Sequence, residues 1–365
     1  MKKIMYQHLP LSSSFILLFF LFLSAGCKKS DSFSSLNAQN QSSLSAQAIQ
    51  RVDLVANKSI YGALHIDHNL LNAWGMSADD EGNIWVSAAD GGISYVYNKK
   101  GGHEMPPISI PSHEANTAGN PTGNTYNETD DFIIWGTGEK AELLFASEDG
   151  TVSAWNNGPS AVVVADRSGQ GASYKGIAIA NDGGANFLYV TDFENASVDV
   201  LDKNFQYVTG KPFNDPNIPS GYAPFGIREI NNMLYVTYAL RTEDGEDSTG
   251  LGLGIVDVFW PNGTLSKRFA SYGTLNAPWG ITEARPGFMG NNNSIFIGNF
   301  GDGHINMYDL NGNFQGLLMN QGNPVAIEGL WAIDTGIPDV VPQRLYFTAG
   351  PNDESDGIFG FLMKK

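Results

Sequence analysis

The sequence predicts an all-β fold, a six-bladed β-propeller whose ring is closed by an N-terminal strand completing the last blade. Three observations predict it. Small-residue turns end in Gly75, Gly123, Gly176, Gly226, Gly280 and Gly329, at spacings of 48, 53, 50, 54 and 49 residues by subtraction. A period of about 50 residues built only from short strands marks propeller blades. The composition agrees: 42 glycines in 365 residues and only 16% charged residues suit many turns, and no helical periodicity persists beyond the first 30 residues. Finally, the chain ends at Lys365 after the third strand of the sixth repeat, while the alternating segment Arg51–Asn57 precedes the first repeat. That segment is expected to cross back as the missing outer strand and so remove an exposed sheet edge.

The blades read off in order. Blade 1 takes Trp74–Ala78, Asn83–Ala88 and Gly92–Asn98, and blade 2 takes Thr122–Tyr126, Leu143–Ser147, Thr151–Asn156 and Ala161–Ala165. Blade 3 takes Lys175–Ala180, Phe187–Asp192 and Ser197–Asp202, and blade 4 takes Phe225–Ile230, Met233–Ala239 and Gly254–Trp260. Blade 5 takes Trp279–Glu283, Ser294–Asn299 and His304–Leu310, and blade 6 takes Leu330–Asp334, Arg344–Ala349 and Gly357–Leu362. Each second strand carries an aromatic at a matched place (Trp85, Phe145, Tyr189, Tyr235, Phe296, Tyr346), a ring large enough to fill the wedge between blades. The propeller is expected over residues 50–363.

Residues 1–27 stand outside the fold. Lys2 and Lys3 precede the apolar run Phe15–Leu23, which is too short for a comfortable membrane span. Ser24-Ala25-Gly26 then leads into Cys27, the single cysteine. This resembles a bacterial lipoprotein signal, which implies lipidation of Cys27, although Ser24 stands where that motif has leucine. Residues 28–49 are rich in Ser, Asn, Gln and Ala, too polar to bury a core, and read as a tether. Lys28 and Lys29 give no acidic retention signal after the cysteine, so the expected location is the outer membrane of a Gram-negative envelope. The membrane is then a partner through the lipid anchor, and the propeller is expected to be monomeric. The net charge of −17 becomes −19 once Lys2 and Lys3 leave with residues 1–26. Such a surface repels nucleic acid and favours cations, basic partners or neutral ligands such as sugars.

A set of short motifs occurs in a fixed order. They are Asn72-Ala73-Trp74-Gly75, Asn120-Pro121-Thr122-Gly123, Tyr174-Lys175-Gly176, Tyr222-Ala223-Pro224-Phe225-Gly226 and Asn276-Ala277-Pro278-Trp279-Gly280. Gly298-Asn299-Phe300-Gly301-Asp302-Gly303-His304 and Leu345-Tyr346-Phe347-Thr348-Ala349-Gly350 complete the set. Together they resemble a family of exported bacterial six-bladed propellers, some with a PEP-CTERM sorting tail that this chain lacks. A more distant resemblance reaches NHL-type and gluconolactonase-like propellers. The first resemblance implies fold and export and brings no catalytic residues.

Propeller ligands generally sit over the channel mouth, on the face that carries the starts of the first strands and the hairpins between second and third strands. The residues before the repeat glycines are expected to ring that mouth: Trp74, Thr122, Lys175, Phe225, Trp279 and Glu328. Counting three blades across sets Lys175 opposite Glu328, Trp74 opposite Phe225 and Thr122 opposite Trp279. The Lys175–Glu328 pair could orient a polar ligand or merely plug the channel. The aromatics could stack a sugar or serve as packing lids. The hairpins on this face carry Asp90, Glu148, Asp149, Asp192, Glu194, Asn299, Asp302, Asn352 and Asp353, oxygen donors suited to Ca²⁺ but also ordinary turn residues. Gluconolactonase-like propellers hold a divalent metal with Glu, Asn and Asp. The resemblance points to Glu328, Asn299 and Asp192, while Lys175 opposes a cation there. No HExxH, CxxCH, phosphate-loop or GxSxG motif is present. Two functions stay open: a lipoprotein binding platform for a small molecule, glycan or protein, and a metal-dependent hydrolase or lactonase.

Overall fold

The computed structural model describes residues 48–285, 288, 293–338 and 344–365. The signal segment, Cys27 and nearly all of the tether lie outside these residues. Six antiparallel sheets follow one another as blades, each with its first strand innermost. Those inner strands are Ala73–Ala78, Pro121–Tyr126, Tyr174–Asp182, Tyr222–Ile230, Pro278–Glu283 and Leu330–Asp334. Ile49–Ala56 pairs antiparallel with Ile358–Lys364 and forms an outer strand of the blade that begins at Leu330. Closure by the two chain ends therefore takes the expected form, and the strand starts at Ile49, inside the stretch read as tether. Leu54, Val55 and Ala56 are buried against neighbouring strands, so closure rests on core packing as well as on the ladder.

All six inner strands share one irregularity. The register shifts between Ala73 and Met76, Pro121 and Asn124, Tyr174 and Ile177, Pro224 and Ile227, Pro278 and Ile281, and Leu330 and Ile333. Inside the first five bulges sits the repeat glycine, and its neighbours explain it. A Cβ on Gly75 would lie 2.2 Å from the Thr122 carbonyl oxygen, one on Gly226 2.2 Å from that of Trp279, and one on Gly280 2.5 Å from that of Trp331. Each glycine thus takes the close backbone approach of the next blade. Threonines on second strands fasten the same contacts. Thr191 Oγ1 accepts from the Gly176 N–H at 2.7 Å and donates to the Phe225 carbonyl at 2.8 Å, and Thr348 links Ala332 to Trp74 in the same way.

The sixth repeat corrects the expected register. Its bulge holds Trp331 and Ala332, so Trp331, not Glu328, is the equivalent of Trp74 and Trp279. Gly329 is a glycine for a separate reason. Its φ is 64°, and a Cβ there would lie 2.1 Å from the Gly350 carbonyl oxygen.

Candidate functional site

The central channel has two ends that differ in kind. Toward the starts of the inner strands it is stopped by aromatic rings. Trp331 stacks on Trp74 at 3.7 Å between ring centroids and on Phe300 at 4.0 Å, while Trp279 and Phe225 meet it edge-on at 6.1 and 5.9 Å. Phe193 packs on Phe225 at 5.1 Å. Trp74, Phe225 and Trp331 are fully buried, so these rings pack on one another and leave no open face for a sugar. Thr122 is also buried, and its hydroxyl donates to the carbonyls of Ala146 and Tyr174.

Above this plug lies a charged cluster. Lys175 is buried with its Nζ 5.1 Å from the Trp74 ring centre and 5.9 Å from that of Phe193, and it forms an ion pair with Glu148. The partner expected for Lys175 was Glu328. That residue is exposed and accepts the Asn352 N–H at 3.0 Å, because it lies three positions before the inner-strand site assigned to it. The cluster recruits Asp247 and Glu354 instead. Asn72 holds it to the plug: its Oδ1 accepts from the Trp331 indole at 2.8 Å, and its Nδ2 donates to Glu354 Oε2 at 2.8 Å.

Asp90, Asp247 and Glu354 are hard to ionise. Burial, then the charges of Asp247 and Glu148, push Glu354 up to about 7 against the Asn72 hydrogen bond and Lys175. Burial pushes Asp247 up to about 6 even though Lys175 pulls the other way. Desolvation and Glu148 raise Asp90 as well. Three buried polar atoms around this end have no partner: Trp74 Nε1, Arg241 Nε and Asp247 Oδ2. Glu148 and Asp90 were legible as acids on the right hairpins. Asp247 arrives on the acidic insertion Arg241–Leu253, whose charge and length were the signal. Glu354 gave none beyond its place beside Asp353.

The three residues suggested for a metal are each engaged by separate protein partners. Asp192 accepts the backbone N–H groups of Ser173 and Asn195 at 3.1 Å each and the Asn195 side chain at 2.8 Å. Asn299 donates to the Thr274 carbonyl and Asp302 and accepts from Asn306. Among the described residues, no group of three or more His, Cys, Asp or Glu side chains could hold an ion.

The other end of the channel is open. A cavity of about 560 Å³ runs from the repeat glycines and Trp279 to the opposite face, past the later halves of the inner strands. Its walls include Met76, Ile177, Ile227, Ile281 and Ile333, with Asn124 at the matched position of the second blade. At its rim Arg228 Nη2 bonds Asp334 at 2.8 Å, and the turn after Tyr126 contributes Glu128 and Thr129. The ligand space was expected at the other mouth. The enclosed volume lies here because the large ring-position side chains and the hairpin phenylalanines Phe193 and Phe300 pack together and fill the first end.

No protein-family model matches the chain. Two uncharacterized proteins of Acanthamoeba polyphaga mimivirus do. One is 32% identical over 325 residues, 85% of this chain and 79% of the viral protein; the other is 31% identical over 328 residues, 85% and 84%. The structure of a streptogramin B lyase superposes with a TM-score of 0.53 at 11% identity over 87% of this chain and 97% of the lyase, a likeness of fold alone. The chain belongs to the family of these two viral proteins.

Proposed function

We propose that this member of the family is a binding propeller, held at a bacterial outer membrane through Cys27, whose plugged mouth recognises a ligand rich in positive charge and hydrogen-bond donors. The ammonium of an amino sugar or a basic protein side chain is such a ligand. One observation carries the reading. The carboxyl groups of Glu148, Asp247 and Glu354 gather about the ammonium of Lys175 on a rigid aromatic base, with Asp90 beside Glu148. A cation entering there offsets the burial and the neighbouring negative charge that raise Asp247 and Glu354, and perturbed carboxyls of this kind mark functional sites. Asp247 Oδ2 also gains the partner it lacks. The hydrolase alternative shares the fold, but its proposed ligands Glu328, Asn299 and Asp192 are engaged by separate protein partners.

The test is a thermal-shift series with glucosamine, spermidine and CaCl₂ at pH 8 and pH 5.5. Stabilisation by glucosamine or spermidine at pH 8, lost at pH 5.5 and in the Glu148→Gln/Glu354→Gln variant, is the expected outcome. A response to CaCl₂ alone would favour the metal-dependent reading instead. No response at either pH rejects the mouth as a cation site.

A further inference from the structure

The open cavity is built for a ligand of its own. It is single-ended, because the Trp74–Trp331–Phe300 stack blocks passage toward the charged cluster. Its volume of about 560 Å³ lies within the range of small-molecule sites. The residues after the bulge positions (Met76, Asn124, Ile177, Ile227, Ile281 and Ile333) are buried between blades, so the cavity meets mainly the backbone of the inner strands, and Ile179 and Trp279 are large apolar lining residues that stay only half-buried. The inner strands also pair on one side only, which leaves backbone groups facing the channel.

Three lining residues carry buried polar atoms with no partner: Ser77 Oγ, Asn124 Oδ1 and Trp279 Nε1. Ser77 and Asn124 are both 7% exposed. A wall that mixes such groups with Ile179 and Trp279 suits a molecule that is part apolar and part hydrogen-bonding.

The charge at the rim selects the head group. The lining includes five acids, Asp79, Asp80, Glu128, Glu229 and Asp334, against Arg228 and Arg285. Arg228 is tied to Asp334, and Arg285 donates to the carbonyls of Gly336 and Ile337. Asp79 is likewise consumed by Asn83 and Trp85. Glu128 is exposed, and Asp80 takes one long bond of 3.2 Å from the Tyr126 hydroxyl. Among the described residues five carboxylates stand against two guanidiniums, so the rim is net negative.

We infer that this cavity binds a small amphipathic cation, with its apolar body against Ile179 and Trp279 and its ammonium-type head at Asp80 and Glu128. This site is separate from the plugged mouth, and its test does not depend on the outcome there.

The experiment is isothermal titration of the folded propeller with decyltrimethylammonium and with decanoate, matched in chain and opposite in head. The expected result is saturable binding of the ammonium at least tenfold tighter than of the carboxylate. Ile179→Trp, at a half-buried wall position, should fill the cavity and abolish binding. Glu128→Lys, at an exposed position that leaves the core untouched, should weaken the ammonium at least threefold and narrow its advantage over decanoate. The Glu148→Gln/Glu354→Gln variant should bind both probes as the unaltered protein does. Equal or tighter binding of decanoate overturns the cationic head. Absence of binding by either probe, or binding unchanged in both Ile179→Trp and Glu128→Lys, overturns the site.

Discussion

The two ends of the channel begin from the same six strands and reach opposite states. At one end, side chains at the ring positions meet in the centre: Trp331 lies between Trp74 and Phe300, and Lys175 is buried above them among acids. At the other, the matched positions carry Met76, Asn124 and four isoleucines, and about 560 Å³ is left open. Side-chain direction makes the difference. Indoles turn into the six-bladed channel and touch, whereas the residues after the bulges are buried between blades and leave the axis open. One end therefore concentrates charge on a rigid base, and the other keeps space behind a polar rim.

The largest expected effect comes from removing that base. Trp331→Ala deletes the ring that joins Trp74, Trp279, Phe225 and Phe300, and should cost about 3–5 kcal/mol in chemical denaturation. A loss below about 1 kcal/mol would mean that the plug does not hold the ring together.

Next comes the blade-to-blade contact beneath it. Gly280→Ala forces a Cβ to within 2.5 Å of the Trp331 carbonyl and should cost about 3 kcal/mol through a backbone shift. Ala332→Gly, at the equivalent place in the last blade, should cost no more than about 1 kcal/mol. Equal costs would break the equivalence drawn between Gly280 and Ala332.

The acid response separates two carboxyls near the plugged end. Burial alone would raise Asp356, yet Lys58, Asn57 and Tyr61 donate to it and hold it down at about 2. Its contribution is present above the unfolded value near 4 and is lost as pH falls through about 2. That loss amounts to about 2 kcal/mol, and Asp356→Asn should shrink the acid limb by that amount. Glu354 has the opposite sign. Its folded value of about 7 lies above the unfolded one, so stability declines as pH rises from about 4.5 to 7, and Glu354→Gln should flatten that limb. Urea midpoints between pH 2 and 8 read both limbs. A single limb common to both variants would contradict the assignment.

The smallest effect belongs to the open end. Arg228 pairs with Asp334 from a side chain 37% exposed, and Arg228→Ala should cost less than about 1 kcal/mol. A larger loss would show that this rim carries structural weight like the plug.

Much of this could be read along the chain. Five of the six ring positions, Trp74, Thr122, Lys175, Phe225 and Trp279, follow from counting glycines, and so does the need for an N-terminal closing strand. The sixth failed because the count rested on glycine. Gly329 answers to a turn of positive φ, whereas Ala332 fills the bulge. An aromatic, a small residue and isoleucine recur as Phe225-Gly226-Ile227, Trp279-Gly280-Ile281 and Trp331-Ala332-Ile333, and that pattern would have placed Trp331. Cross-ring pairing also failed for Lys175. Propeller symmetry aligns backbones, but a lysine reaches whichever acid its length allows, here Glu148.

By itself, the sequence determined the blade count, the closing strand and the acidic hairpins, because these depend on local strand period, turn chemistry and charge. Only the tertiary structure decided which mouth is filled and which is hollow. That outcome depends on how far six side chains project into a shared axis, a distance that no single blade contains. It also brought Asp247 and Glu354 to Lys175 from segments more than 100 residues apart. In the folded ring their proximity and burial raise both carboxyls, a property that neither segment has alone.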